Sequence, residues 1–129
     1  MNMVARILVG IMALFFGAMG AGFWLNLETQ AAGFGLQGAV EASNLIGRMS
    51  VRADFGSFFL TIGILCAYAA WKRSGSAAVG AALLFGLALL GRFISLALDG
   101  PAPGAAPPMV VEAVSVAILL WARSVWKKA

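Results

Sequence analysis

Histidine is absent from this chain of 129 residues, and charged residues make up only 11% of it. The absence of histidine removes the most common metal ligand, the usual axial ligand of haem and the most common general base. The single cysteine, Cys66, lies in an apolar run and has no second cysteine with which to form a disulfide. We interpret it as a small buried hydrophobic residue. Because a soluble globular domain contains about 25% charged residues, we do not expect an ordinary soluble fold.

Hydrophobic residues make up 62% of the chain, and its mean hydropathy is +0.95. A bilayer core about 30 Å thick needs about 20 apolar residues in an α-helix. Four segments meet this requirement: residues 4–25, 53–71, 77–98 and 109–126. The first is long for the apolar region of a signal peptide, so we interpret it as a retained helix. The sequence therefore predicts an all-α polytopic membrane protein, with residues 1–129 forming a single membrane domain and an antiparallel bundle of four transmembrane helices.

Charges are distributed unequally over the ends of these segments. Six basic residues lie at the amino terminus, in the second connection or at the carboxyl terminus: Arg6, Lys72, Arg73, Arg123, Lys127 and Lys128. The five acidic residues lie at or near the first and third connections: Glu28, Glu41, Asp54, Asp99 and Glu112. Since basic residues favour the cytoplasmic side of a membrane, we expect both termini to be cytoplasmic. This placement also accounts for the net charge of +4 without a nucleic-acid partner.

The connections between the segments differ in length and composition. Residues 72–76 form a minimal second connection, which predicts that the second and third helices are antiparallel neighbours. The first connection, residues 26–52, is long, and its residues 39–49 could form a short amphipathic helix at the membrane surface. The third connection contains all four prolines of the chain and cannot continue the third helix. Small residues on the first helix, Ala13, Gly17 and Ala21, predict a close helix contact.

Three predicted helices carry polar side chains at spacings of three and four residues, which places each set on one helix face. The sets are Asp54, Ser57, Thr61 and Tyr68; Arg92, Ser95 and Asp99; and Glu112 with Ser115. A charge at bilayer depth costs about 2.5–3.5 kcal/mol on insertion scales, so we expect the three sets to point inward from the extracytoplasmic end. Arg92 is the deepest charge, and its guanidinium suits two carboxylates.

The predicted charge cluster comprises Arg52, Asp54, Arg92, Ser95, Asp99 and Glu112. Two interpretations of it are open. It lines a polar pocket that binds a ligand, or it only clamps helix ends together. The chain has no glycine-rich phosphate loop, no metal-ligand spacing and no histidine base for a serine nucleophile. We therefore expect no catalytic residue, no metal and no cofactor.

Two strings in the chain resemble the DUF4345 family of small bacterial membrane proteins, a domain of unknown function. They are VRADFGSFFL from Val51 and GRFISLALDGP from Gly91, and a glutamate follows early in the fourth predicted helix. The resemblance covers nearly the whole chain, with matching positions at Arg52, Gly56, Arg92, Ser95, Asp99, Gly100 and Glu112. It implies a four-helix bundle in a bacterial inner membrane, and it implies no activity.

These observations lead to two functional hypotheses for a non-enzymatic, multi-pass protein of the bacterial inner (cytoplasmic) membrane. In the first, the extracytoplasmic cluster is a polar pocket that binds a small molecule or a lipid headgroup. In the second, the chain is an accessory or structural subunit of a larger membrane complex, and the cluster is a helix clamp. The expected partners are the lipid bilayer and, in the second case, other membrane proteins or further copies of the chain.

Overall fold

The computed structural model describes residues 1–127, and its regular structure over them is entirely helical. Four helical stretches are long and apolar enough to cross a membrane: Asn2–Leu25, Leu45–Lys72, Gly75–Asp99 and Ala106–Lys127. The predicted all-α fold with four membrane-spanning helices is confirmed. Lys128, which the charge pattern assigned to the basic carboxyl terminus, lies outside the described residues.

The helices differ from the predicted segments mainly in the second span. In chain order the elements are α1 (Asn2–Leu25), α2 (Leu27–Ala32), a 3-10 turn (Gly38–Val40), α3 (Leu45–Val51), a π-helical segment (Arg52–Gly56), α4 (Ser57–Lys72), α5 (Gly75–Asp99) and α6 (Ala106–Lys127). The short helix expected within residues 39–49 is α3, which begins only at Leu45 and continues through the π-helical segment into α4. Its start is fixed by Asn44, whose side-chain oxygen accepts a hydrogen bond from the Gly47 amide at 3.0 Å.

The chain divides into two compact units, which we call unit 1 (Met1–Gly10 with Leu65–Ala129) and unit 2 (Ile11–Ile64). The expected single membrane domain stays a prediction.

In unit 1, α5 and α6 form a hairpin. Ser74 caps α5 by accepting a hydrogen bond from the Ala77 amide at 3.1 Å. The buried face of α5 consists mostly of alanines, as is typical of helix contacts in membranes: Ala77, Ala78, Ala81, Ala82 and Phe85. Gly100 ends α5 with a φ of 89°, a left-handed conformation that favours glycine. Pro107 and Pro108 lie in the first turn of α6. Proline lacks an amide N–H, but in the first turn of a helix this group has no acceptor within the helix, so no helical hydrogen bond is lost.

Two side-chain hydrogen bonds join chain segments at the end of unit 1 that is opposite to Gly100. Arg6 donates from Nε to the carbonyl of Ala70 at 2.9 Å, in the last turn of α4. The buried Trp126 donates from Nε1 to Oδ1 of Asn2 at 3.0 Å. The start of α1, the end of α4 and the end of α6 therefore lie together. The basic residues Arg6, Lys72 and Lys127 consequently belong to one end of this unit.

In unit 2, α1 and α4 approach each other closely. A Cβ atom added to Gly63 would lie 2.8 Å from the Cα of Gly17, so only glycine allows this contact, and the small-residue face expected on α1 is in use. Beside it the rings of Phe23 and Phe59 stack with centroids 5.9 Å apart. Phe34 contacts the same pair, at 5.5 Å from Phe23 and 5.6 Å from Phe59. This aromatic cluster packs the first connection against both helices.

Candidate functional site

In unit 1, the structure brings together Arg92 of α5 and Glu112 of α6. Arg92 Nε donates to Glu112 Oε1 at 2.8 Å. The Glu112 side chain is 8% exposed and that of Arg92 33% exposed, so the carboxylate is the buried partner. A buried carboxylate is stable only when a cation or hydrogen-bond donors compensate for its lost hydration. The ion pair therefore links α5 to α6, and we call it the Arg92–Glu112 clamp.

Two further members of the predicted cluster lie near the end of α5. Ser95 Oγ donates to Asp99 Oδ2 at 3.4 Å, one helical turn away. Both side chains are exposed, and among residues 1–127 neither forms an ion pair with Arg92. The guanidinium of Arg92 therefore binds one carboxylate rather than the two that its shape would allow. Ser95 and Asp99 lie outside the clamp.

The polar set on the second membrane span does not point inward as expected. Its members are all exposed: Asp54, Ser57, Thr61 and Tyr68. The buried positions of this stretch include Gly56, Phe59 and Gly63, each two residues, or roughly 200° around a helix, from a member of the polar set. The expected orientation was wrong because the close contact with α1 needs glycine, and it turns the polar side chains to the opposite face. By contrast, Glu112 and Ser115 on α6 are buried, as expected.

In unit 2, Arg52 forms a reciprocal contact with Trp24 of α1. Arg52 Nε donates to the Trp24 carbonyl at 3.3 Å, and Trp24 Nε1 donates to the Arg52 carbonyl at 3.1 Å. Arg52 begins the π-helical segment, and Gly56 ends it. A Cβ at Gly56 would come within 2.6 Å of Trp24 Cδ1, so glycine leaves room for the indole. Single turns of π-helix are frequent at functional sites.

Arg48 lies one turn before Arg52, and two groups of unit 2 occupy its guanidinium. Its Nη2 lies 2.8 Å from Glu28 Oε1, and its Nη1 donates to the Val40 carbonyl at 2.6 Å. The pKa of Glu28 is lowered from its ordinary value, first by a backbone hydrogen bond and then by the hydrogen bond and charge of Arg48. The Arg52 charge contributes in the same direction. Glu28 is therefore ionised at neutral pH and neutralises much of the Arg48 charge.

These side chains border an open groove with a volume of about 670 Å³, which we call the Trp24 groove. Its lining residues are Trp24, Leu45, Arg48, Met49, Arg52 and Ala53. The apolar walls are well exposed, with Leu45 at 73%, Met49 at 66% and Trp24 at 52%. Two arginines and no carboxylate line it. The groove can therefore accept a ligand that carries both an anionic and an apolar part.

Sequence reasoning identified Arg52 but missed Arg48 and Trp24 as its neighbours. The available signal was a pair of arginines four residues apart, which places both on one helix face, immediately before an apolar span. No local pattern indicates that Trp24, at the end of a different helix, packs beside them. Asp54 is exposed, and within the described chain it has no ion-pair partner. A pocket shared by all of the predicted cluster residues stays a prediction.

Four apolar helices of membrane-spanning length, with charges paired between helices, define a helical multi-pass membrane protein. A family model described as a domain of unknown function, DUF4345, matches residues 4–123. The chain belongs to this family. Comparisons with curated proteins and with solved structures gave no match. Within residues 1–127 no group of three His, Cys, Asp or Glu side chains is placed to hold a metal ion.

Proposed function

We propose that this protein is a non-enzymatic membrane protein that binds a lipid headgroup, or a small molecule of similar chemistry, in the Trp24 groove. The observation that carries the proposal is the composition of the groove lining. The guanidinium of Arg52, a residue of intermediate burial, lies in the same groove lining as the apolar side chains of Trp24, Leu45 and Met49. A phosphate group and the adjoining acyl chains of a lipid have the same combination of charge and apolar surface.

The length of the second span supports a position of the groove at headgroup level. Leu45–Lys72 contains 28 residues, which is about 42 Å of helix against a hydrocarbon core of about 30 Å. With Lys72 at one interface, residues 53–72 fill the core. Arg48 and Arg52 then lie at the opposite interface, where arginine side chains and the Trp24 indole are both favourable.

The proposed orientation follows from the distribution of basic residues. Arg6, Lys72 and Lys127 belong to one end of unit 1, and we assign this end to the cytoplasm because basic residues favour that side. Both termini are then cytoplasmic, and the Trp24 groove opens on the extracytoplasmic side. The family resemblance supports a bacterial inner membrane as the location.

A second candidate function is an accessory or structural subunit of a larger membrane complex. Two observations favour it. The Arg92–Glu112 ion pair lies within the α5–α6 hairpin and joins these two helices, as expected of a structural contact. In addition, Ser57 and Thr61 are exposed within the second membrane span, where polar side chains often contact another helix.

Native mass spectrometry of the protein purified in mild detergent tests both candidates. We expect wild type to retain a species of lipid mass, and Arg52→Gln to lose most of it. The matched control is Arg123→Gln, which removes an exposed arginine at the cytoplasmic end of α6 and should retain the species. A wild-type protein without any bound small molecule, or equal retention by Arg52→Gln, would contradict the proposal. A stable protein partner in its place would favour the subunit.

A further inference from the structure

The two arginines of the Trp24 groove differ in how far their charges are already neutralised. Arg48 is bound to the carboxylate of Glu28 and to the Val40 carbonyl. Arg52 uses only Nε, in its hydrogen bond to the Trp24 carbonyl. Among residues 1–127, no hydrogen bond or ion pair involves its two terminal NH₂ groups. The groove therefore contains one guanidinium whose outer edge is open to an anion.

The contact with Trp24 also fixes the position of this guanidinium. The two hydrogen bonds between Trp24 and Arg52 run in opposite directions, at 3.3 Å and 3.1 Å. They hold the Arg52 backbone and the Nε atom of its side chain against α1, and Gly56 leaves room for the indole of Trp24. An arginine that is held in place loses less side-chain entropy when it binds a phosphate in a bidentate manner.

We infer that the Trp24 groove selects anionic phospholipids, with Arg52 contacting the phosphate and the apolar residues of the groove lining contacting the adjoining part of the lipid. This inference rests on the proposed function and specifies its ligand class. A zwitterionic headgroup also carries a phosphate, but its ammonium group would lie near two arginines in a groove lined by no carboxylate. An anionic headgroup has no such repulsion.

Glu28 acts as the internal counter-ion of this site. Its carboxylate lies against Arg48 from outside the groove lining, and its side chain is 64% exposed. It therefore lowers the positive charge that an incoming headgroup meets. Glu28→Gln removes the negative charge and keeps an oxygen that can accept the Arg48 hydrogen bond. This variant should bind anionic lipid more tightly than wild type does.

The test is a titration of delipidated protein with phosphatidylglycerol or phosphatidylcholine of identical acyl chains, read by native mass spectrometry. We expect wild type to bind phosphatidylglycerol about tenfold more tightly than phosphatidylcholine. This is the order of magnitude expected for one arginine beside an anionic headgroup. Arg52→Gln should lose this preference. Glu28→Gln should bind phosphatidylglycerol about fivefold more tightly than wild type, and Arg123→Gln should equal wild type. Free sn-glycerol 3-phosphate, which has the phosphate without acyl chains, should bind far more weakly.

The outcomes separate the inference from the proposed function. Equal binding of both lipids to wild type overturns the inference and leaves the proposed function standing, whereas binding of neither lipid overturns both. Binding of sn-glycerol 3-phosphate as tight as that of phosphatidylglycerol overturns the assignment to a lipid. If Arg52→Gln does not fold, as judged by its elution profile, Glu28→Gln decides the matter, since an unchanged affinity there overturns the inference.

Discussion

Breaking the Arg92–Glu112 pair should have unequal effects that depend on which partner is removed. Arg92→Gln leaves Glu112, whose side chain is 8% exposed, without its cation, and we expect a loss of about 3–5 kcal/mol in the free energy of unfolding. Glu112→Gln leaves Arg92, which is 33% exposed and can extend its charged end toward the surface. Its loss should be about 1–2 kcal/mol. Replacing both residues by leucine should restore stability close to that of wild type, because no buried charge remains.

The assay is equilibrium unfolding in mixed detergent micelles, followed by circular dichroism. The two single variants and the double variant are compared with wild type in the same micelles. A double leucine variant as unstable as Arg92→Gln would show that an unpaired buried charge is not the source of the loss. Equal and small losses in the two single variants would show that Glu112 is not the buried member of the pair. Either result would refute the clamp.

Three further predictions concern the helix contact, the first connection and the orientation. Gly63→Ala should destabilise the protein by about 1–3 kcal/mol, since its Cβ would meet the backbone of α1. The control Gly10→Ala should not, because a Cβ added there has no atom within 4 Å. Equal stability of the two variants would contradict the close contact between α1 and α4. Phe34→Ala should lower the free energy of unfolding by about 2–3 kcal/mol and speed proteolysis of the first connection, because it removes the packing on Phe23 and Phe59. An unchanged rate of cleavage would refute the role of Phe34 in packing this connection. In whole cells an impermeant maleimide should label Ser43→Cys and not Ser76→Cys, and the reverse pattern would invert the proposed orientation.

The membrane-spanning helices could be predicted because lipid imposes a strong and simple constraint on sequence. A run of about 20 apolar residues is required for a span, and four such runs are visible in the chain. The helical stretch that contains the second span begins at Leu45, eight residues before the start predicted for the second helix at residue 53. Arg48 and Arg52 appeared to mark a loop, whereas both are helical residues at the end of a continuous stretch. A charge near an interface does not interrupt a helix, because its side chain can reach the polar layer.

The candidate site was only partly predictable. Arg92 and Glu112 could be identified because charges deep in apolar helices need partners. The outward direction of Asp54, Ser57 and Thr61 could not, because it is set by the contact between Gly63 and the backbone of α1. Helix periodicity shows which residues share a face, but it does not show which face is buried when both faces are compatible with lipid.

The Trp24 groove depends on two features that have no signature in a single sequence. One is the π-helical segment Arg52–Gly56, which differs from α-helix in its backbone hydrogen bonds and not in its residue types. The other is the packing of the Trp24 indole on Gly56, a contact between residues 32 positions apart in the chain. Such contacts follow from tertiary packing alone. Arg52 was therefore identified as a charge of interest without Arg48 and Trp24, which line the groove with it.

The most direct test of lipid binding in the Trp24 groove is to locate a bound lipid on the protein. The reagent is a phosphatidylglycerol with a photoactivatable group on its headgroup, incorporated into nanodiscs that contain the wild-type chain or Arg52→Gln. We expect cross-links in wild type to concentrate on Trp24 and on residues 45–53, which contain the other lining residues of the groove, and we expect Arg52→Gln to lose most of them. Cross-links spread evenly over the exposed helix faces, or an unchanged pattern in Arg52→Gln, would contradict lipid binding in the Trp24 groove.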